Sequence, residues 1–396
     1  MSGRKSWTAL WKAWRRPLLL PAFLLLIALC AGVLPPVGQP LEGLPELRLF
    51  DGEPLIRALL SRRDVGSGID IGGPCRLRDA STSMVLEGGG RLSWDGHVVT
   101  VGGQRFEPPI SIAPPRGGSL VTLDRRYAGA LELLADDNGS LLVINRVPVE
   151  TYLAGVISAE MGIHFPDEAL KAQAVACRSY AIRRIRTRKH RAFDVGATQA
   201  TQVYRGVLAG HDRARRLVTA THAEVLIHDD EILDSVYSST CGGHTRPADE
   251  AFGNAAPAPL MGGPCGHCDD APLFRWSATL EVEAVRRMLK VPRGPMSLES
   301  QRYYPSHRLR TLTLITVVGT REVTARQLRR LLGKAAKSPW IASVTLEKDR
   351  FLINGRGFGH GVGLCQYGAR GLARRRKSAG DILDWYFSGA ERARAW

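Results

Sequence analysis

The chain has 396 residues, of which 44% are hydrophobic and 23% are charged, and this balance excludes an intrinsically disordered protein. Its formal net charge is +16 and its pI is about 9.9, which favours an anionic partner such as nucleic acid, an acidic membrane surface or an acidic cell-wall polymer. Arginine-rich helix faces that are simply solvated would give the same charge, so the charge alone does not choose a partner.

A positively charged flank precedes an apolar run at the start of the chain. The basic residues between Arg4 and Arg16 are followed by an apolar run from Pro17 to Leu34. This order is typical of a signal peptide or an N-terminal membrane anchor, and a run of about 18 residues just suffices to cross a bilayer. Because no clear A-x-A cleavage site follows, we predict that residues 1–40 are an uncleaved membrane anchor, with the main domain on the extracytoplasmic side. The alternative is a cleaved signal and a secreted protein.

The pattern of residues 45–144 predicts a β-rich region. Short β-type runs alternate there with Gly and Pro, and the last run contains the turn signal Asp137-Asn138-Gly139. No cluster of catalytic residue types occurs in this region, and Cys75 reads as a lone thiol, either buried or stray. The later sequence alternates helix and strand signals, with a strand expected over 309–319 and helices over 324–334 and 381–387. We therefore predict an α+β fold, with mixed helices and short strands over residues 145–390.

Two helix patterns meet at Glu160. Pro148 suits the first position of a helix, apolar residues recur at helical spacing after it, and Gly162 suits a helix stop. A second helix is expected to open at Pro166. Glu160 therefore lies in the last turn of the first helix, at the negative end of its dipole, where a carboxylate holds its proton more tightly. A general acid needs this environment, although most helical glutamates are solvated surface residues.

A Cys/His cluster follows, with the metal-like spacings C-x2-H and C-x2-C. We predict a structural zinc site with four protein ligands, because the neighbouring His favours a metal over the disulfide that an exported protein would also permit. His267 is an alternative ligand. The predicted ligands are Cys241, His244, Cys265 and Cys268.

A glycine-rich segment, Gly355–Ala369, indicates a close approach of the backbone to a ligand or to another strand. It lacks the ending of a Walker loop and the acid of a dinucleotide fingerprint. His360 is its expected polar contributor, although a lone His is more often structural.

Taken in order, these motifs resemble the stage II sporulation protein D family (SpoIID), which includes the LytB amidase enhancers. The resemblance covers Asn145 to Phe387 and rests on VPVETYLAGVISAEM, FPDEALKAQAVACRSYA, QVYRG, YSSTCGGHT and GFGHGVGLCQYGA. Gly162 and Cys365 stand where many members have Pro and Ser, and the Cys265/Cys268 pair is not expected in every member. The first 144 residues lie outside the resemblance.

The resemblance implies a lytic transglycosylase that cuts peptidoglycan glycan strands stripped of their peptides, with Glu160 as the catalytic acid and zinc near Cys241 and His244. One carboxylate suffices for such a reaction, since the C6 hydroxyl of the sugar attacks C1 and no water has to be activated. The glycan's lactyl carboxylates suggest contacts with Arg178 and the wider basic surface, and sugar faces suggest stacking on tyrosines that are equally suited to core packing. The expected substrate-binding residues are Arg178, Tyr180, Gln202, Tyr204, His360 and Gln366.

Two other functions remain open from the sequence. A wall-binding protein that stimulates a partner amidase without cutting would carry the same motifs. A zinc-dependent nucleic-acid binder would use the charge and the Cys/His cluster, but it fits poorly with an exported, anchored chain, so we expect no nucleic-acid partner.

Overall fold

The computed structural model describes residues 44–208, 210–253 and 255–396, which belong to one compact unit, Pro40–Trp396. The predicted membrane anchor, residues 1–40, lies outside the described residues. Among the helices that are described, none is both long enough and apolar enough to cross a membrane.

The fold is mixed α+β, as predicted. Its first part is made of strands alone, which the structure places as follows: β1 (Leu55–Arg63), β2 (Gly68–Gly72), β3 (Cys75–Arg78), β4 (Ser83–Leu86), β5 (Gly89–Trp94), β6 (Val99–Val101), β7 (Gln104–Phe106), β8 (Ile110–Ala113), β9 (Ser119–Thr122), β10 (Arg125–Ala128), β11 (Ala130–Ala135) and β12 (Leu141–Pro148).

These strands alternate buried and exposed residues, because successive side chains of a strand point to opposite faces of its sheet. They form two sheets, in the orders β10-β9-β2-β5-β6-β7 and β4-β3-β8-β11-β12-β1, and share an apolar core that contains Leu77, Phe106 and Leu133. Cys75 is 3% exposed in this core, so the lone thiol is a buried one.

The middle of the chain is mostly helical and carries short strands: α1 (Val149–Glu160), α2 (Asp167–Thr187), β13 (Val195–Gly196), α3 (His211–Thr219), β14 (Glu224–His228), β15 (Glu231–Ile232), β16 (Tyr237–Ser238) and α4 (Ala248–Phe252). β13 pairs in parallel with β1, so the sheet of the first part continues into this region. Ile56 and Val147 of that sheet share a core with Val156 and Ala181 of the two long helices. The sheet therefore supports α1 directly.

The helix boundaries agree with the sequence signals. Pro148 ends β12 and immediately precedes α1, so the helix begins one residue after the predicted start at Pro148, and Glu160 is the last residue of α1. Gly162 has φ +76°, a left-handed conformation that ends the helix and that glycine adopts without a steric penalty. Pro166 precedes α2, which is buried around almost its whole circumference because α1, α3, α7 and α8 pack against it.

Residues 275–356 form a segment with its own apolar core, which includes Trp276, Leu312 and Phe351. Its elements are β17 (Arg275–Glu281), α5 (Val282–Leu289), β18 (Met296–Tyr303), β19 (Leu309–Thr316), β20 (Gly319–Thr324), α6 (Ala325–Leu332), β21 (Trp340–Glu347) and β22 (Arg350–Arg356). The predicted strand and helix of this segment are β19 and α6. A capping box between Thr324 and Gln327 sets the start of α6.

The last elements return the chain to the helical region: β23 (Leu364–Cys365), α7 (Gln366–Arg374), α8 (Ala379–Tyr386) and β24 (Glu391–Arg394). β23 pairs in parallel with β16, and β24 pairs with β14. α8 is the predicted closing helix, and α7 is the helix expected after the glycine-rich segment.

Candidate active site

Glu160 is half-buried at the end of α1 and is held by two hydrogen bonds. The backbone N–H of Val203 donates to its Oε1 at 2.6 Å, and the Tyr237 hydroxyl donates to the same oxygen at 3.3 Å. Both bonds go to Oε1, so the carboxyl group is fixed in orientation through one oxygen while Oε2 stays available to carry a proton.

Burial raises the pKa of Glu160, as the sequence predicted, although the prediction invoked the helix dipole as the cause. The hydrogen bonds from Val203 and Tyr237 and the positive charge of Arg205 act in the opposite direction, because each stabilises the carboxylate. The net effect is a carboxyl group that holds its proton to a higher pH than an exposed glutamate does.

Tyr237 reaches Glu160 because β16 pairs with β23 of the glycine-rich segment, with Tyr237 opposite Leu364. The backbone there is too close for side chains: a Cβ on Gly363, which has φ +69°, would lie 2.1 Å from the carbonyl oxygen of Val236. The glycines of this segment thus serve the close approach of another strand, one of the two roles that the sequence left open.

A groove of about 720 Å³ lies beside Glu160. Its lining carries a marked excess of positive charge, because the only carboxylates among its described lining residues are Glu160 and Asp234. Both oxygens of Asp234 accept from the Arg184 guanidinium at 3.0 Å. The basic residues that line the groove are Arg184, Arg205, Arg246, Arg329 and Lys337.

Three of the predicted substrate-binding residues line this groove: Tyr180, His360 and Gln366. The Tyr180 ring lies 4.4 Å below the Arg184 guanidinium. Burial, with the nearby charge of Arg246, lowers the pKa of His360, and its Nδ1 accepts from the Val362 N–H at 3.1 Å. The ring is therefore neutral near pH 7, with its proton on Nε2.

The other three lie inside the protein. Arg178 is 0% exposed, and its guanidinium forms two hydrogen bonds with the Glu150 carboxylate, at 2.9 and 2.7 Å. A side chain so enclosed has no access to a glycan, so the expectation of a substrate contact at Arg178 is corrected to a structural role.

Gln202 and Tyr204 are also enclosed, at 0% and 2% exposure. Gln202 accepts from the Tyr152 hydroxyl at 3.0 Å, and the Tyr204 hydroxyl donates to Asn145 at 2.9 Å. These two residues flank Val203, whose N–H holds Glu160. The structure therefore assigns Gln202 and Tyr204 a positioning role instead of direct substrate contact. Their hydrogen bonds fix the backbone at Val203, which orients Glu160.

Four buried thiols lie together behind the glycine-rich segment. The four-cysteine cluster consists of Cys241, Cys265, Cys268 and Cys365, each at most 2% exposed, and their Sγ atoms all lie within 4.8 Å of one another. Sulfur atoms around a tetrahedral zinc, with Zn–S near 2.3 Å, are about 3.8 Å apart, and Cys241 Sγ and Cys268 Sγ are 3.7 Å apart. No disulfide joins any of the cysteines that the structure describes.

The surroundings of the cluster suit metal-bound thiolates. The N–H groups of Cys241 and Gly368 point at the Cys365 sulfur, at 3.2 and 3.3 Å, and the Tyr386 hydroxyl lies 3.1 Å from the Cys265 sulfur. Such donors stabilise negative charge on ligating sulfur. The donor set therefore fits zinc.

The predicted ligand His244 is not part of the cluster. Its Nδ1 contacts the Thr245 carbonyl oxygen at 2.7 Å, and its backbone bridges to Pro264. His267, the alternative, has its Nδ1 against Arg375 at the surface. Cys365 takes the fourth position because the β16–β23 pairing brings it beside Cys241.

Several groove residues had no functional role in the sequence prediction: Tyr237, Arg205, Arg246, Arg329 and Lys337. Tyr237 and Arg205 stand inside the quoted motifs YSSTCGGHT and QVYRG, so the motifs contained a signal for them. The two from the 275–356 segment, Arg329 and Lys337, stand in a basic stretch with no motif.

Comparison with known proteins identifies the family of the chain. Residues 137–228 match the SpoIID family, described as Stage II sporulation protein. The chain is 30% identical over 266 residues to an uncharacterized protein of Brachyspira hyodysenteriae, covering 67% of this chain and 72% of that protein. It is 29% identical to the stage II sporulation protein D of Bacillus amyloliquefaciens, covering 63% and 75%. It is 25% identical to an amidase enhancer of Bacillus subtilis, covering 60% of this chain and 39% of that protein. The chain thus belongs to the stage II sporulation protein D family.

Proposed function

We propose that this protein is a peptidoglycan lytic transglycosylase that uses Glu160 first as general acid and then as general base. The observation that carries the proposal is that the described lining residues of the groove include a single available acid: their other carboxylate, Asp234, is engaged by Arg184. A hydrolytic glycosidase normally needs two carboxylates on either side of the bond. A groove with one free carboxyl group, whose pKa is raised by burial, fits a reaction that needs no activated water.

In the first step, the proton on Glu160 passes to the glycosidic oxygen while the bond from C1 to that oxygen breaks. The Glu160 carboxylate then takes the proton of the C6 hydroxyl, and the C6 oxygen forms a bond with C1 of the same sugar. The product is a 1,6-anhydro sugar, and the acid is protonated again. The raised pKa serves the first half, because the group must enter the reaction protonated.

The four-cysteine cluster is the proposed structural zinc site. A zinc ion bound by four thiolates has no open position for a substrate, so it would supply folding free energy rather than catalysis. Cys365 of β23 and Cys241 just after β16 belong to the cluster, and β16 carries Tyr237. The cluster thereby joins the segment of Tyr237, which donates to Glu160, to the glycine-rich segment that pairs with it.

The catalytic proposal is tested with Glu160→Gln. We expect the native protein to release fragments with 1,6-anhydro ends from peptide-free glycan strands, identified by mass spectrometry, and the variant to release none while keeping its circular dichroism spectrum. Asp234→Asn is the matched control in the same groove and should keep the anhydro product. Reducing ends in place of anhydro ends, or cleavage by Glu160→Gln, would contradict the mechanism.

A second candidate comes from the relative named as an amidase enhancer. In that function the groove holds wall glycan and a partner amidase does the cutting. It is favoured if the native protein releases no fragments alone but accelerates a purified wall amidase on the same strands.

For the location, we propose membrane anchoring through residues 1–40, with the groove on the extracytoplasmic side. Cell fractionation with external protease tests this. Recovery from the medium of a chain that has lost its N-terminal segment would instead indicate a cleaved signal and a secreted protein.

A further inference from the structure

One wall of the groove carries cations that the catalytic proposal does not use. Arg246 follows the motif YSSTCGGHT, whereas Arg329 of α6 and Lys337 belong to the 275–356 segment, which contributes no residue to Glu160's hydrogen bonds. All three side chains line the same groove as Glu160. The 275–356 segment therefore forms part of the wall of the groove.

These cations are poorly compensated. The Arg329 guanidinium forms no hydrogen bond or ion pair with any residue that the structure describes, and its Nε is buried without a partner. Arg246 has a side chain that is 13% exposed and is compensated only in part: its guanidinium donates to the Glu250 carbonyl oxygen, while its Nε lies 3.8 Å from Glu250 Oε2, an ion-pair distance that is too long for a hydrogen bond. The same Glu250 oxygen accepts from the Ser306 hydroxyl at 2.7 Å.

A buried cation without a partner is unfavourable, because it has lost water and gained no opposite charge. Burial lowers the pKa of both Arg246 and Arg329, and the positive charge of Arg246 lowers that of Arg329 further. Among the residues that the structure describes, the Lys337 ammonium donates to the carbonyl oxygen of Lys334 alone, at 2.9 Å. An anionic group entering the groove would supply the missing partner.

We propose that Arg246, Arg329 and Lys337 form an anion subsite that binds a carboxylate of the glycan strand cleaved at Glu160. The inference rests on the proposed function for its ligand. Guanidinium groups bind carboxylates through paired N–H donors. The arginines of this subsite therefore favour glycan strands that carry carboxylates. Two sources carry this chemistry: the lactyl group of a peptide-free sugar and the carboxylates of a stem peptide.

The test measures binding rather than cleavage, so that it remains informative if the catalytic proposal fails. The full chain carrying Glu160→Gln is titrated with defined glycan strands, either native or with their carboxylates reduced to alcohols. We expect the reduced strands to bind about tenfold or more weakly, the loss typical of a charge-assisted hydrogen bond. Adding Arg329→Gln and Lys337→Gln should weaken binding of native strands by a similar factor and remove the difference between the two strands.

Arg330→Gln is the matched control, because Arg330 is the next residue of the same helix and is exposed. It should bind native strands as the parent does. Equal affinity for native and reduced strands, or equal weakening by Arg330→Gln, would overturn the subsite.

Stability supplies a second readout. Since Arg329 has no partner among the described residues, Arg329→Gln should leave the urea midpoint unchanged or raise it, and a lowered midpoint would assign Arg329 a structural role instead. Peptide-free and peptide-bearing strands compared in parallel identify the source: tighter binding of the first assigns the lactyl carboxylate, and tighter binding of the second assigns the stem peptide.

Discussion

Arg178→Gln distinguishes a structural arginine from a substrate-binding one. The guanidinium is fully buried and donates to the Glu150 carboxylate, to the Val218 carbonyl oxygen at 3.2 Å and to that of Glu224 at 3.0 Å. Glutamine is shorter and cannot reach all of these acceptors. The substitution therefore leaves a carboxylate that is 13% exposed without its cation, and leaves carbonyl oxygens without donors.

Removal of one partner from a buried ion pair costs about 3–5 kcal/mol, which is a large part of the roughly 5–15 kcal/mol that stabilises a typical domain. For a urea m-value of about 3 kcal/mol/M, this loss lowers the unfolding midpoint by about 1 M or more. Circular dichroism during urea titration measures the midpoint. The double variant Arg178→Gln with Glu150→Gln should lose less free energy of unfolding than the sum of the losses of the two single variants, because no unpaired charge remains.

Arg186→Gln, in the last turn of the same helix, is the control. It should change the free energy of unfolding by no more than about 0.5 kcal/mol. An Arg178→Gln variant with an unchanged midpoint and weakened glycan binding would refute the structural interpretation. It would restore the substrate contact that the sequence suggested.

Two further predictions concern the acid and the cysteines. Arg205→Gln removes a charge that lowers the pKa of Glu160, so that pKa rises and the pH above which cleavage declines moves upward in a pH–rate profile; an unchanged or lower limit would contradict this. Cys365→Ser should lower the zinc content per chain, measured by elemental analysis, and slow cleavage because β23 supports the strand of Tyr237. His244→Ala should keep the zinc, and loss of the metal in that variant would reinstate the ligand predicted from spacing.

The sequence was sufficient where the signals are local. Pro148, Gly162 and Pro166 act on their own stretch of backbone, so the ends of α1 and the position of Glu160 could be read from spacing. The α+β class follows from the same kind of signal, because period-2 and period-3.6 patterns occupy separate segments. Three of the four cysteines of the cluster were also predicted, because they stand in the short metal-like motifs C-x2-H and C-x2-C.

Contacts between distant segments had to come from the tertiary structure. Cys365 belongs to the cluster in place of His244, although it is 124 residues away from Cys241 in the sequence. The parallel pair of β16 and β23 brings the two cysteines together. Arg178 has the residue type of a substrate contact, and only the packing of helices around all of α2 shows that it is enclosed.

The centre of the site shows the same division. Helix signals were enough to place Glu160 at the end of α1, although its pKa is raised by burial rather than by the helix dipole that the sequence suggested. The hydrogen bonds to its Oε1 come from Val203 and Tyr237, and the basic wall beside it includes Arg329 of α6. The relative position of these segments depends on the burial of the apolar faces that they share. The spacing of residues within one segment does not show which other segment it packs against. The acid was thus evident from the sequence, whereas the groove beside it was decided by the fold.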